Sequence, residues 1–207
     1  KAAEAADPLV ENGLSEASMT TVVLPYITTA REGVERIAKI VDTYGSAEGN
    51  IIFIADDKES WYMEIYTGHQ YAAVKVPDDM YAVVPNHFLL GYIDTTSKDV
   101  IASKDLINLA KSKGFYKEVD GKFHAALTYG EELGDYDRVR LWGGQNKLSP
   151  SAKVAYDTKL FSLWRKADKK ITLEDVMELQ RCRYEGTDKN ANLPENAGVR
   201  AIGTPTS

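Results

Sequence analysis

The side chains of this chain that could do chemistry are three histidines, one cysteine and several runs of carboxylates. His69, His87 and His124 are too far apart for a two-histidine helical metal site, and none lies beside a cysteine pair. A zinc centre therefore has no sequence basis, and the expected metal and cofactor content is none. Cys182 stands between Arg181 and Arg183, cations that would lower the pKa of an exposed thiol. It falls inside a predicted helix, however, where a cysteine is an ordinary packing or surface residue. Asp56-Asp57, Asp78-Asp79 and Glu131-Glu132 each fall where a turn is expected, and aspartate favours turns through its own side-chain hydrogen bonds. No Walker loop, G-x-S-x-G elbow or S-x-x-K pair is present. Gly143-Gly144 does not follow a strand in a G-x-G-x-x-G pattern, so it reads as a helix irregularity. Residue types and spacing by themselves give no self-sufficient active site.

The elements that would position such groups come in two textures. A helical reading runs from Ser15 to Pro25, and a clearer one from Thr29 to Tyr44 opens on a capping box, Thr29-Ala30-Arg31-Glu32, and ends at Gly45. Val34, Ile37, Ala38, Val41 and Tyr44 recur at helical spacing and form one apolar stripe, which makes this a covering helix. Short β-branched and aromatic runs follow at Asn50 to Ala55, Ser60 to Tyr66, Gln70 to Val76 and Met80 to Val84. They read as an antiparallel meander, covered on one face and partly buried on the other. Ser103 to Lys113, Asp135 to Lys147 and Thr172 to Tyr184 read as capped helices, the first ending at Gly114 and the last followed by Gly186. The tail from Thr187 to Ser207 reads as a long loop or an approach to further strands.

With 207 residues, 43% of them hydrophobic, the chain has enough apolar surface for a real core. A formal charge of −6 with scattered basic residues argues against nucleic acid, which needs Lys and Arg gathered on one face. Met19 to Ile27 is broken by threonines and Pro25 and falls short of the ~20 residues that cross a bilayer, so no membrane span is expected. One cysteine excludes an internal disulfide and leaves the compartment open between cytoplasm and export.

Several blocks lie in the order and spacing of a known family. They are Ala5-Ala6-Asp7-Pro8-Leu9-Val10, Gly13-Leu14-Ser15-Glu16-Ala17, Val23-Leu24-Pro25-Tyr26-Ile27 and Ala30-Arg31-Glu32-Gly33-Val34. They continue through Trp61-Tyr62-Met63-Glu64, Gly68-His69-Gln70, Val76 to Val83, Pro85-Asn86-His87-Phe88, Arg140-Leu141-Trp142 and Arg183 to Thr187. Together these resemble the PepD-like dipeptidases, cysteine peptidases of the N-terminal-nucleophile hydrolase class related to penicillin V acylase and bile-salt hydrolase. The resemblance implies an α+β fold, the four-layer α/β/β/α sandwich of that class. It also implies a dipeptidase in which an amino-terminal Cys thiol attacks the peptide carbonyl and forms a thioester, with its own α-amine as base. An α-amine with a pKa of about 7.7 to 8.0 is partly unprotonated near neutrality and suits that role.

Residue 1 is Lys1 and no cysteine stands near it, so the nucleophile of that mechanism is absent from this chain. Residues 1–207 are accordingly expected to be an internal portion of a single dipeptidase domain, truncated at both ends and incomplete as a sandwich. Expected partners are a dipeptide substrate and either a second copy or the remainder of the same chain. Asn86, in Val83-Val84-Pro85-Asn86, resembles the family's oxyanion donor, a kind of group typically worth ~3 to 4 kcal/mol of barrier. Arg140 resembles the family's active-site arginine, placed to stabilise the thiolate or to hold a substrate carboxylate. Arg138 is its rival. On a helix the two point about 200° apart, so only one can face the site. The plain structural alternative for Arg140 is a surface ion pair with Asp135 or Asp137. Glu64 and His69 lie in matched blocks but are left out of the site. A non-catalytic scaffold, or an amidase acting on another small amide, is the alternative.

Overall fold

The computed structural model describes residues 1–203, in two compact units that are considered separately. The first comprises Lys1–Asp78 and Leu90–Glu131. It contains α1 (Ala2–Ala6), α2 (Glu16–Val23), α3 (Ala30–Tyr44), β1 (Asn50–Ala55), β2 (Ser60–Ile65), β3 (Tyr71–Lys75), β4 (Val100–Ala102), α4 (Leu106–Ser112), a two-stranded ribbon of β5 (Glu118–Val119) and β6 (Lys122–Phe123), and α5 (Ala125–Tyr129). The second comprises Asp79–Leu89 and the chain from Glu132 onward, with α6 (Asp135–Leu148) and α7 (Leu173–Arg181).

In the first unit α3 starts where the sequence signals it. The Thr29 hydroxyl accepts from Glu32 N–H at 3.2 Å, and the Glu32 carboxylate accepts from Thr29 N–H at 3.2 Å. Val34, Ile37, Ala38 and Val41 are buried, but Tyr44, the last member of the expected stripe, is 68% exposed. It sits on the last turn, just before Gly45 turns the chain at φ 77°. β1 to β4 form an antiparallel sheet in sequence order, with Ile52 opposite Met63, and Met63 opposite Ala73. Ile52, Ile54, Trp61, Met63, Ile65, Tyr71 and Ala73 point to one face and pack with Met19, Val23 and the α3 stripe. Full burial of a Val or Ile side chain stabilises by about 1.5–3 kcal/mol, so this face dominates the unit. On the opposite face Phe53 is 53% exposed while Tyr62 and Glu64 are buried.

The fourth strand is not the expected Met80 to Val84. β4 pairs with β3 through Ala72 opposite Ala102 and Val74 opposite Val100. Met80 to Val84 belongs to the second unit and makes a single bridge, Tyr81 with Arg165. Pro77 before it and Pro85 after it lack the N–H groups that a ladder needs. The helix expected from Ser103 begins only at Leu106, because the Ser103 hydroxyl is engaged elsewhere, donating to Gln70 Oε1 at 2.8 Å and accepting from Tyr71 N–H at 3.2 Å. Gly114, at φ 77°, follows its end.

The second unit is built around α6, which runs unbroken through Gly143-Gly144. The glycines permit close packing and do not disturb the helix. A Cβ on Gly143 would stand 2.4 Å from Tyr184 Cε1, and one on Gly144 2.7 Å from Val83 Cγ1. α7 opens on a Thr172–Asp175 capping box and stops at Arg181, short of the expected Tyr184. Cys182 is therefore a C-terminal cap with extended backbone, not a mid-helix residue. Tyr184 adopts φ 61°, which ends any helical continuation. Of the tail, Thr187 to Gly203 contains turns and a 3-10 turn at Pro194–Asn196 but no strand; the rest lies outside the described residues.

Candidate active site

The candidate site is assembled on the first turns of α6 by the segment Tyr81 to Asn86. The Tyr81 hydroxyl donates to the Gln145 carbonyl at 3.1 Å and lies 2.7 Å from Ser149 Oγ. Val83 then rests on Gly144. The segment runs on toward the start of the helix, where Asn86 meets Asp137 and Arg140. Only a glycine at 144 lets the chain lie this close, so the Gly-Gly pair sets where Asn86 falls.

Asn86 and Arg140, 54 positions apart, are in contact: Arg140 Nη2 donates to Asn86 Oδ1 at 2.9 Å. The same Nη2 donates to Asp137 Oδ1, in a short charge-assisted bond. Asp137 Oδ1 also accepts from Asn86 N–H at 3.1 Å. Arg140 Nε donates to the Tyr136 carbonyl at 3.2 Å, and its guanidinium lies 4.2 Å from the centroid of the Tyr136 ring. Arg200 approaches that ring at 5.8 Å.

A guanidinium has five N–H donors and no acceptor. The one Nε hydrogen and both Nη2 hydrogens are used here, so only Nη1 remains to meet a thiolate or a carboxylate. A two-nitrogen grip on a substrate carboxylate is thus unavailable to Arg140 in this arrangement. Because Arg140 can only donate, the Asn86 amide must turn its oxygen inward. Its Nδ2 group then points away from Arg140, and Asn86 itself is exposed. Nδ2 has no hydrogen-bond partner among the described residues.

Arg138 does something else. Its Nη1 donates to the carbonyls of Tyr156 and Thr158, at 3.3 and 2.7 Å, and its Nη2 to that of Leu133 at 3.2 Å. It braces backbone and does not approach Asn86.

The remaining chemical residues have structural partners. His124 caps α5, its Nδ1 accepting from Leu127 N–H at 3.3 Å, and burial pushes its pKa down. His69 Nδ1 lies 2.9 Å from Asp7 Oδ1. The other Asp7 oxygen accepts from Thr67 Oγ1 at 2.7 Å and His69 N–H at 2.6 Å. Asp7 lies in the block Ala6-Asp7-Pro8, the sequence signal that could have marked it. Glu64 is fully buried and accepts from Leu90 N–H at 3.0 Å and from the Tyr62 hydroxyl. In the cleft beside α7, Lys147 pairs with Glu178 at 3.7 Å and Lys169 with Asp175 at 2.8 Å, so its charges answer one another. Among the described residues no group of three or more His, Cys, Asp or Glu could hold a metal ion, and no helix is long and apolar enough to cross a membrane.

This is an α+β protein of a peptidase family. The model of peptidase family C69 matches residues 1–203, and the chain belongs to that family. It is 52% identical over 183 residues to the probable dipeptidase B of Streptococcus pyogenes serotype M1, covering 88% of this chain and 37% of that protein. It is 38% identical to the probable dipeptidase of Latilactobacillus sakei, covering 88% and 39%, and 37% identical to the probable dipeptidase B of Lactococcus lactis subsp. lactis, covering 95% and 44%. The chain thus spans well under half the length of these curated relatives.

Proposed function

We propose that this chain is an internal portion of a single dipeptidase domain, and that the protein containing it hydrolyses dipeptides through an amino-terminal Cys nucleophile lying outside residues 1–207. The thiol attacks the scissile carbonyl and gives its proton to the α-amine of the same residue. The carbon–nitrogen bond then breaks, the amine product leaves with that proton, and water hydrolyses the thioester. Asn86 donates from Nδ2 to the oxyanion formed in each half-reaction, and Arg140 supplies positive charge beside it. The observation carrying this reading is the Arg140–Asn86 contact, which turns the amide's donor end outward and leaves it free. In the complete domain a second sheet closes an α/β/β/α sandwich, and the exposed Phe53 on the face away from α3 supports that arrangement.

The test is release of free amino acids from a dipeptide panel by the full-length protein. Replacing its mature amino-terminal Cys abolishes turnover, and Asn86→Ala lowers kcat about 100- to 1000-fold. Residues 1–207 alone release nothing. Turnover by residues 1–207 that vanishes in Cys182→Ala would overturn the mechanism.

A further inference from the structure

The geometry points to Asp137 as a positioning residue that fixes the orientation of the Asn86 amide, and so its donor N–H, through Arg140; this rests on the reading of Asn86 as the oxyanion donor. Three bonds close a ring. Asp137 Oδ1 accepts from Asn86 N–H at 3.1 Å, Arg140 Nη2 donates to that same Oδ1, and the same Nη2 donates to Asn86 Oδ1 at 2.9 Å. Backbone and side chain of Asn86 are therefore held by one ion pair, at a point where Pro85 also limits the backbone. Asp137 and Arg140 are one helical turn apart on α6, so the helix presets their spacing.

The pair is shielded: the Arg140 side chain is 7% exposed and that of Asp137 17%. An amide with two exposed ends would flip and spend part of its time with its oxygen outward, repelling an oxyanion. Here the flipped state would set the Nδ2 hydrogens against a guanidinium that has no lone pair to offer. Asp137 makes that arrangement stiff by holding Arg140 in place. The free Nδ2 is thus preorganised, which is what makes an oxyanion donor effective. Asp137 touches no substrate. It acts through Arg140 and Asn86.

Two measurements test this. In the full-length protein, Asp137→Ala is expected to lower kcat roughly 10- to 100-fold, with KM within about threefold of wild type, as loosened geometry in a catalytic constellation does. Asp137→Asn keeps an uncharged acceptor in place and is expected to fall between the two. The double variant Asn86→Ala/Asp137→Ala is expected to lose clearly less than the product of the two single losses, because the amide that Asp137 orients is gone and only its hold on Arg140 is left. Additive losses, or an unchanged kcat in Asp137→Ala, would overturn the assignment while leaving Asn86's own role intact.

The second measurement does not need activity. The 15N order parameter of the Asn86 side-chain amide in the full-length protein is expected to be high in wild type and to fall in Asp137→Ala and, less, in Asp137→Asn. An amide equally mobile in all three overturns the clamp. If the full-length protein cleaves no dipeptide, or if Asn86→Ala leaves its kcat unchanged, the functional reading fails, and the amide measurement still decides whether Asp137 orients Asn86.

Discussion

The two units hold their chains in order by different means. In the first, helix and sheet share an apolar interior: Val34, Ile37 and Val41 of α3 meet Trp61, Met63 and Ala73 of the sheet. Backbone groups satisfy one another along the ladder. In the second, the segment after α6 makes one β-bridge among the described residues, Arg165 with Tyr81, and α6 with its C-cap Ser149 answers its carbonyls with side chains. Arg138 donates to Tyr156 and Thr158, Trp142 and Asn146 to Val154, Gln145 to Ser162, and Ser149 to Lys166. Irregular chain near a protein interior must have its polar backbone groups paired, and here one helix does much of that pairing. The lesson is that a site can rest on irregular chain if a single helix registers it. Asn86 depends on such registration through Tyr81, Val83 and Asp137.

The comparison breaks first where the interior is deepest. Ile37→Ala removes a fully buried side chain from the first unit and is expected to cost about 2–5 kcal/mol. Chemical denaturation should show it, with amides of β2 losing hydrogen-exchange protection. A loss under about 1 kcal/mol would mean that the apolar interface is not what holds this unit.

The second unit's equivalent is steric. Gly143→Ala should gain about 1 kcal/mol of helix propensity, yet its Cβ would stand 2.4 Å from the ring of Tyr184. That ring is pinned by its hydroxyl, which donates to the Arg200 carbonyl at 2.6 Å. Overpacking costs of about 1–3 kcal/mol are expected to win, so the variant melts lower than wild type. A stabilised variant would show that Tyr184 can yield, and that the glycine is no packing requirement. Smaller again is the cap of α3. Thr29→Ala is expected to cost about 1 kcal/mol, and Thr29→Ser to restore most of it.

These regions also differ in how far the sequence announced them. α3 and β1 to β3 were legible because capping, periodicity and turn chemistry are local. Asp56, read as a turn residue, does accept from Lys58 and Glu59 N–H at 2.7 and 2.9 Å. β4 is not legible because its three residues carry too little pattern, whereas Met80 to Val84 has strand composition without a ladder partner. What it pairs with is decided by contacts with Gly144, Gln145 and Ser149, far along the chain. For the same reason Asn86 and Arg140 could be proposed only from family likeness; an ion pair of Arg140 with Asp137, one turn away, is legible in the sequence, while the bonds both make to Asn86 belong to tertiary geometry. Arg138 and Arg140 look alike in sequence and differ only in what their faces of α6 meet.

The smallest expected effect is a pH dependence at Asp7, which joins the start of the first unit to the β2–β3 turn. Burial pushes the Asp7 carboxyl up, but hydrogen bonds from Thr67 and His69, with the nearby imidazole, outweigh it and hold the group below its ordinary value. A carboxyl with a depressed folded pKa binds its proton less tightly folded than unfolded. Its contribution is therefore fully present above the unfolded value of about 3.9 and is lost as pH falls through the lower folded value. The partner His69 side chain is 42% exposed, so solvent screens the ion-pair part of the contribution and it is modest. Gly68 makes the contact possible, because a Cβ there would stand 2.1 Å from the Pro8 carbonyl oxygen. Asp7→Asn keeps the shape but cannot ionise. Its stability deficit relative to wild type should shrink as pH falls from about 5 to below about 4, where the wild-type carboxyl takes up its proton. Denaturation curves for both proteins across that range provide the check. A deficit that grows on acidification would mean that the protonated carboxyl is the form the Thr67–His69 turn prefers.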